Sequence, residues 1–315
     1  MMKGFLIKIA CFFLLSIFVL IFSLFFIPDV VSRTSILAAI TDKHEALQKI
    51  KTEKIIFVGG SNLSFGLDSK KIIDGFKRPV INMGVHAGIG LEYIVNDVKK
   101  YIHKGDVIIL APEYENFYTD NFYGEMELVS VLFDIDQSGR KYVNAKQWTH
   151  LFKYIPTYSA KKIKNYLPTL FHKPSPLTNI DIYDRRSFNE FGDAYIHWML
   201  PNQNYMPSKR NSGNEKVNPE VIVFIKEFKS YVEDKGAKLL IFPPVIENQS
   251  YNNQAAIIDA ISKSLVSNGI PFYVESNKYK FSPDYFFNSY YHLNKNGVDK
   301  RTQLMIEDLT PALRN

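Results

Sequence analysis

An α/β fold, a doubly wound parallel sheet with helices on both faces, is predicted by three observations. Short apolar runs recur along the chain and stop at glycine or proline. Stretches with helical spacing alternate with them. The runs are short enough for strands and too apolar for surface segments, as expected of strands buried on both faces. The composition agrees: 315 residues, 46% hydrophobic and 22% charged, exclude a disordered or collagen-like chain.

The first element is of another kind. Residues 9–27 read IACFFLLSIFVLIFSLFFI, nineteen positions without a charge. As a helix they would be about 28 Å long, close to the hydrocarbon core of a bilayer. Lys3 and Lys8 precede the run and Pro28 and Asp29 follow it, so the positive-inside rule predicts a cytoplasmic N-terminus and an extracytoplasmic domain. A cleaved signal peptide is the competing reading; the run exceeds the usual apolar core of such peptides and no small-x-small site follows Ile27. Cys11, the sole cysteine, excludes an intramolecular disulfide framework and a cysteine-based zinc site.

The alternation then begins. Residues 54–59 (KIIFVG) predict a first strand, and residues 68–76 a helix with Asp68 as its N-cap. Residues 80–83 predict a second strand, 90–103 an amphipathic helix and 106–111 a third strand. In the C-terminal part, 219–235 predict a helix closed by Gly236, and 237–242 a fourth strand. A helix over 254–267, a fifth strand over 270–274 and a closing helix over 296–309 complete the pattern. The domain thus divides into an anchor (1–35), a first half (36–136), an insertion (137–216) and a second half (217–315).

The insertion breaks the rhythm. It contains Pro156, Pro168, Pro174, Pro176, Pro201 and Pro207 and both tryptophans, Trp148 and Trp198. Its 13 Lys and Arg against 5 Asp and Glu give it +8, whereas the whole chain carries 38 against 32, or +6. A mostly helical cap is expected, because so long a segment is rarely a plain loop. Its basic, aromatic surface suits an anionic glycan or phospholipid headgroups; a solvated basic face explains it equally well. The overall charge is far from that of a dedicated nucleic-acid binder, and no nucleic-acid partner is expected.

Ligands of such sheets bind beyond the carboxyl ends of the strands. The first strand ends in Gly59-Gly60-Ser61-Asn62, which exposes the Ser61 hydroxyl on a sharp turn. The second ends at Asn82-Met83-Gly84, where the Gly84 amide can join the Ser61 amide as an oxyanion donor. Glu113 and Glu115, after the third strand, are candidate carboxylates, and His86 stands close to Gly84. A serine needs a base to act as a nucleophile, and His292 is the best placed of seven histidines. P-loop, H-E-x-x-H and G-x-G-x-x-G patterns are absent, as is the G-x-S-x-G elbow, and neither cofactor nor metal is expected. Taken singly, the glycines also read as turn residues and the histidines as structural ones.

V-G-G-S-N-L-S at 58–64, I-N-M-G at 81–84 and Y-H-L-N-x-x-G at 291–297 together resemble the SGNH (GDSL-type) hydrolase superfamily. A single N-terminal membrane helix ahead of such a domain is similar to its DltD-like and alginate-acetylation-like branches. The resemblance implies an O-acyltransferase or esterase acting on a bacterial envelope glycan, with a multipass acyl-exporting membrane protein as partner. It makes Ser61 the nucleophile, His292 the base and the Ser61 and Gly84 amides the oxyanion hole. The chain departs from the pattern twice. The acid expected three residues before the histidine is replaced by Ser289, leaving Asp284 as the candidate. The G-x-N-D block is missing, leaving Asn62 or Asn116 as the further oxyanion donor. Both departures equally fit a non-catalytic glycan-binding or scaffold subunit, and the basic insertion fits a membrane-surface adaptor.

Overall fold

A computed structural model describes residues 2–171 and 181–313; Pro174 and Pro176 of the insertion lie outside the described residues. Helix α1 (Met2–Phe26) contains the uncharged run. It is long and apolar enough to cross a membrane, and little of it is buried in the protein. After it, Asp29 caps a short turn of helix by accepting from the Val31 and Ser32 amides. Helix α2 (Ala39–Lys49) then leads into the domain.

Four parallel strands form the central sheet in the order β2-β1-β3-β4. They are β1 (Ile55–Gly59), β2 (Val80–Asn82), β3 (Val107–Ala111) and β4 (Lys238–Ile241). In register, Ile56 faces Ile81 on one side and Ile108 on the other, and Ile109 faces Leu240. Side chains alternate between two cores: Ile56, Val58, Ile108 and Ile241 enter one, while Ile55, Phe57, Ile109 and Leu240 enter the other. Both sheet faces are therefore dry, which explains the uninterrupted apolar runs.

Helices α3 (Ser61–Ser64) and α4 (Ser69–Phe76) follow β1, and α5 (Leu91–Val98) follows β2. Asp68 caps α4 as expected, accepting from the Lys71 amide. Helix α6 (Ile155–Tyr166) belongs to the insertion. In the second half come α7 (Pro219–Asp234), α8 (Ala255–Ser267) and α9 (Lys295–Leu313). Gly236 has φ +71°, the left-handed conformation that stops α7. Beyond β4 lie two small ribbons: β5 (Ile246–Glu247) with β6 (Lys280–Phe281), and the hairpin β7 (Phe286–Ser289) with β8 (His292–Leu293).

Two expectations are corrected. Residues 270–274 are not a strand; only the Tyr273 amide bonds Ile241, at 2.6 Å, because Pro271 removes a ladder donor. The insertion is only partly helical: beyond α6, Ala145–Leu151 and short 3₁₀ turns, its described residues are irregular. It is also not a detached cap. Asp193, fully buried, accepts from the Ser69 amide and hydroxyl and from the Asn82 side chain, and the Phe191 carbonyl accepts from the Asn82 amide. The segment thereby covers the edge of β2, where an unpaired strand would otherwise be exposed.

Candidate active site

Ser61 opens α3 directly after β1, at the carboxyl end of the sheet. As the first helical residue, its amide has no intrahelical partner. The turn is tight: a Cβ at Gly60 would sit 2.8 Å from Glu113 Oε1, and one at Gly84 would sit 2.6 Å from Leu63 Cβ. The Ser61 hydroxyl donates to Glu113 Oε1 at 3.0 Å, and the Asn62 amide donates to the same oxygen at 3.0 Å. Burial pushes the Glu113 carboxyl up to about 7.

His292 reaches the serine turn from the β7–β8 hairpin. Its ring stacks on Phe65 with centroids 4.3 Å apart, and the Leu293 amide donates to the Phe65 carbonyl. Phe65 itself closes the serine turn by donating its amide to the Ser61 carbonyl at 3.0 Å. His292 Nδ1 lies 2.9 Å from Asn288 Oδ1, and Asn288 Nδ2 donates to the Tyr183 hydroxyl at 2.8 Å. With its NH₂ committed to Tyr183, Asn288 presents only its oxygen to the ring. His292 is therefore the Nδ1–H tautomer, with Nε2 free to accept a proton. Burial, with His86 and His197 nearby, pushes its pKa down to about 3, so the ring is neutral near pH 7.

Ser61, Phe65, His86, Tyr183 and His292 line one cavity of about 340 Å³. Its other walls come from the chain just beyond α1 (Val31, Ser32, Ser35, Ile36, Leu37), from Met126, Glu127 and Ser130, and from Lys161 of α6. His86 Nδ1 accepts from the Gly88 amide at 3.1 Å, which leaves its proton on Nε2. Burial lowers its pKa as well, so His86 enters the cavity wall as a neutral N–H donor.

The structure brings together Ser61, His292, His86 and Glu113, and separates others. Asp284 is exposed and bonds Ser282; Asn288 holds the position by His292 that Asp284 was expected to take, because the chain reverses at Tyr290 and Tyr291 and folds the end of β7 back beside the histidine. The Gly84 amide donates to Asn82 Oδ1 at 2.9 Å, so it is spent on a local turn. The Asn62 side chain points inward, donating to the Ala111 carbonyl and accepting from Arg301. Asn116 donates to Asn121. The single Gly84 N–H is thus committed, and the Asn62 and Asn116 side chains are turned to structural acceptors instead of towards the serine as expected; the Ser61 amide has no such partner among the described residues.

Sequence reasoning missed Asn288 as the partner of His292 and the two tyrosines that steady the hairpin. Tyr291 donates to Glu115 Oε2 at 2.7 Å and Tyr290 to Oε1 at 3.4 Å, so Glu115 is a hairpin anchor. One cluster among the described residues has the spacing of metal ligands: His44, Asp97 and Asp136. There His44 lies between the two carboxylates, one on each ring nitrogen, and Lys100 bonds Asp97 at 2.7 Å, so these groups already face one another. No family model and no curated protein matches the chain.

Proposed function

We propose that this chain is a membrane-anchored serine O-acyltransferase or esterase of the SGNH type. It would move an acetyl or similar acyl group onto or off a bacterial envelope glycan, with its N-terminus cytoplasmic and its domain outside. The observation that carries the reading is that Ser61 and a tautomer-locked His292 open on one cavity. The strand order also agrees with the first four places of the 2-1-3-4-5 doubly wound order.

In this mechanism the Ser61 hydroxyl turns from Glu113 towards His292, a rotation about one side-chain bond. Oγ attacks the acyl carbonyl carbon while His292 Nε2 takes the hydroxyl proton. The electron pair of the carbonyl moves to its oxygen, which the Ser61 amide and the His86 Nε2–H stabilise. Collapse expels the donor's alkoxide, which receives the proton from His292 and leaves an acyl-serine. A sugar hydroxyl, or water, then repeats the steps in reverse order. Asn288 stands where a triad carboxylate would, and fixes the ring without adding charge. A multipass membrane protein would deliver the acyl group.

A second reading, a glycan-binding or scaffold subunit, is favoured by one observation: the Ser61 hydroxyl bonds Glu113 rather than His292. Intact-mass analysis of the full chain after exposure to p-nitrophenyl acetate and a fluorophosphonate separates the two. A stoichiometric adduct that Ser61→Ala abolishes and His292→Ala slows supports the enzyme. An unlabelled, folded wild-type chain supports the binding subunit.

A further inference from the structure

Residues 137–180 contain eight Lys and Arg and no Asp or Glu. Within this stretch α6 and the turn Leu167–Leu170 carry an apolar surface that nothing in the described fold covers. Leu167 is 50%, Leu170 57% and Phe171 79% exposed. Leu167 and Phe171, together with Ala160, Ile163 and Pro168, line a shallow apolar groove with Lys164 at its rim, and Leu170 is exposed on the same turn. Lys161 and Lys164 have no acidic partner among the described residues.

This surface is continuous with the candidate membrane span. Helix α6 packs on α1. Buried Lys162 donates to the Leu24 carbonyl at 3.0 Å and pairs with Asp134 at 2.8 Å. Asp134 also accepts from the Asp29 amide and from the Tyr158 hydroxyl. The end of the span and α6 are thus fixed to each other by a buried polar hub. Apolar side chains exposed beside the exit of a spanning helix, with lysines flanking them, meet the two requirements of an interfacial segment: apolar area to bury and cations for anionic headgroups.

We propose that residues 155–171 lie in the lipid–water interface of an anionic bilayer as a second membrane contact. The Ser61 cavity has one wall from Val31–Leu37 at the span's exit and another from Lys161, so this contact holds its mouth at the lipid surface. If the acyl-transfer reading holds, on which this last step rests, the substrate admitted is one carried at the membrane surface, such as a lipid-linked glycan or acyl donor.

The test is tryptophan quenching in the full chain reconstituted into phosphatidylcholine–phosphatidylglycerol vesicles with brominated acyl chains. Leu170→Trp places a reporter on the exposed apolar turn. Lys104→Trp places one at the amino end of β3, the opposite end of the sheet from Ser61. Each is read as a difference spectrum against the wild-type chain, which already has Trp148 and Trp198. The emission from position 170 should shift to shorter wavelength and be quenched most by bromines at about 5–10 Å depth. Position 104 should be unquenched. Adding Lys161→Glu and Lys164→Glu to Leu170→Trp should weaken the quenching. Emission from position 170 that is as red and as unquenched as that from position 104 overturns the proposal. Ser61→Ala should leave every one of these readings unchanged, so a chain that takes up no acyl group still passes or fails this test on its own.

Discussion

Ser61 stands on a turn clamped by the sheet and its core, whereas His292 stands on a short hairpin steered by side chains. Behind the serine, fully buried Arg301 donates to the carbonyl and side-chain oxygen of Asn62, and Asn62 reaches across to Ala111 of β3. Beside the histidine, Asn288 is half-buried and its anchor Tyr183 is 42% exposed. The nucleophile is therefore positioned by the same contacts that fold the domain. The base is positioned by contacts the fold can lose, so damage to the two sides should register in different measurements: stability for one, rate for the other.

The largest effect should come from Arg301→Ala. It empties a buried volume and leaves two oxygens of Asn62 without donors. A stability loss on the order of 3 kcal/mol or more is expected in urea unfolding of the full chain in detergent. A loss under about 1 kcal/mol, within the range of one ordinary hydrogen bond, would break the comparison by showing that the serine turn holds itself.

Glu113→Gln sharpens it on the same side. Burial raises Glu113 from 4.5 to about 7, so between those values the folded chain holds a proton that the unfolded chain has released. Stability from this group is full below 4.5 and falls as pH rises to about 7, by on the order of 3 kcal/mol. Glutamine does not titrate, and its oxygen can still accept from Ser61 and Asn62. The variant should therefore gain on the wild type as pH rises through that window, and match it most closely at the acid end. Parallel unfolding midpoints across the window would contradict the buried carboxyl.

The contrast also explains what the sequence made legible. The four sheet strands, the Asp68 cap and the Gly236 stop were readable because burial on both faces, capping and positive φ each leave a local residue signature. Ser61 was readable for the same reason, since a strand-end glycine pair is local. Asn288 was not: it meets His292 only because β7 and β8 fold back on each other, and spacing along the chain pointed to Ser289 or Asp284 instead. The Gly84 amide was misread because a competing acceptor, Asn82 Oδ1, lies two residues away. The embedding of the insertion through Asp193 depends on contacts 111 and 124 residues apart, beyond any periodic pattern.

On the histidine side, Asn288→Ala should leave stability nearly unchanged and slow acylation of Ser61. The ring would lose the acceptor that keeps its proton on Nδ1. A fall on the order of 10-fold is expected, a part of the ~10²–10⁴ that a positioned general base supplies. In the wild type the rate should show no histidine inflection near 6.5, since His292 stays neutral down to about 3. An unaltered rate in Asn288→Ala would remove this residue from the site and leave Phe65 as the element that orients the ring.

The smallest effect belongs to Tyr183→Phe. The variant removes the hydroxyl that accepts from Asn288 Nδ2 and keeps the aromatic wall of the cavity. Asn288 is partly exposed, so water can take over the lost bond, and the cost should stay near about 0.5 kcal/mol, or roughly a twofold slower acylation. The difference matters through its direction. Without Tyr183 the Asn288 amide can flip and present its NH₂ to His292, which favours the wrong tautomer. Combining Tyr183→Phe with Asn288→Ala separates the possibilities: if the tyrosine acts only through the asparagine, the double variant acylates at the rate of Asn288→Ala alone. A further slowing in the double variant would instead assign Tyr183 a direct part in holding the substrate against Ser61.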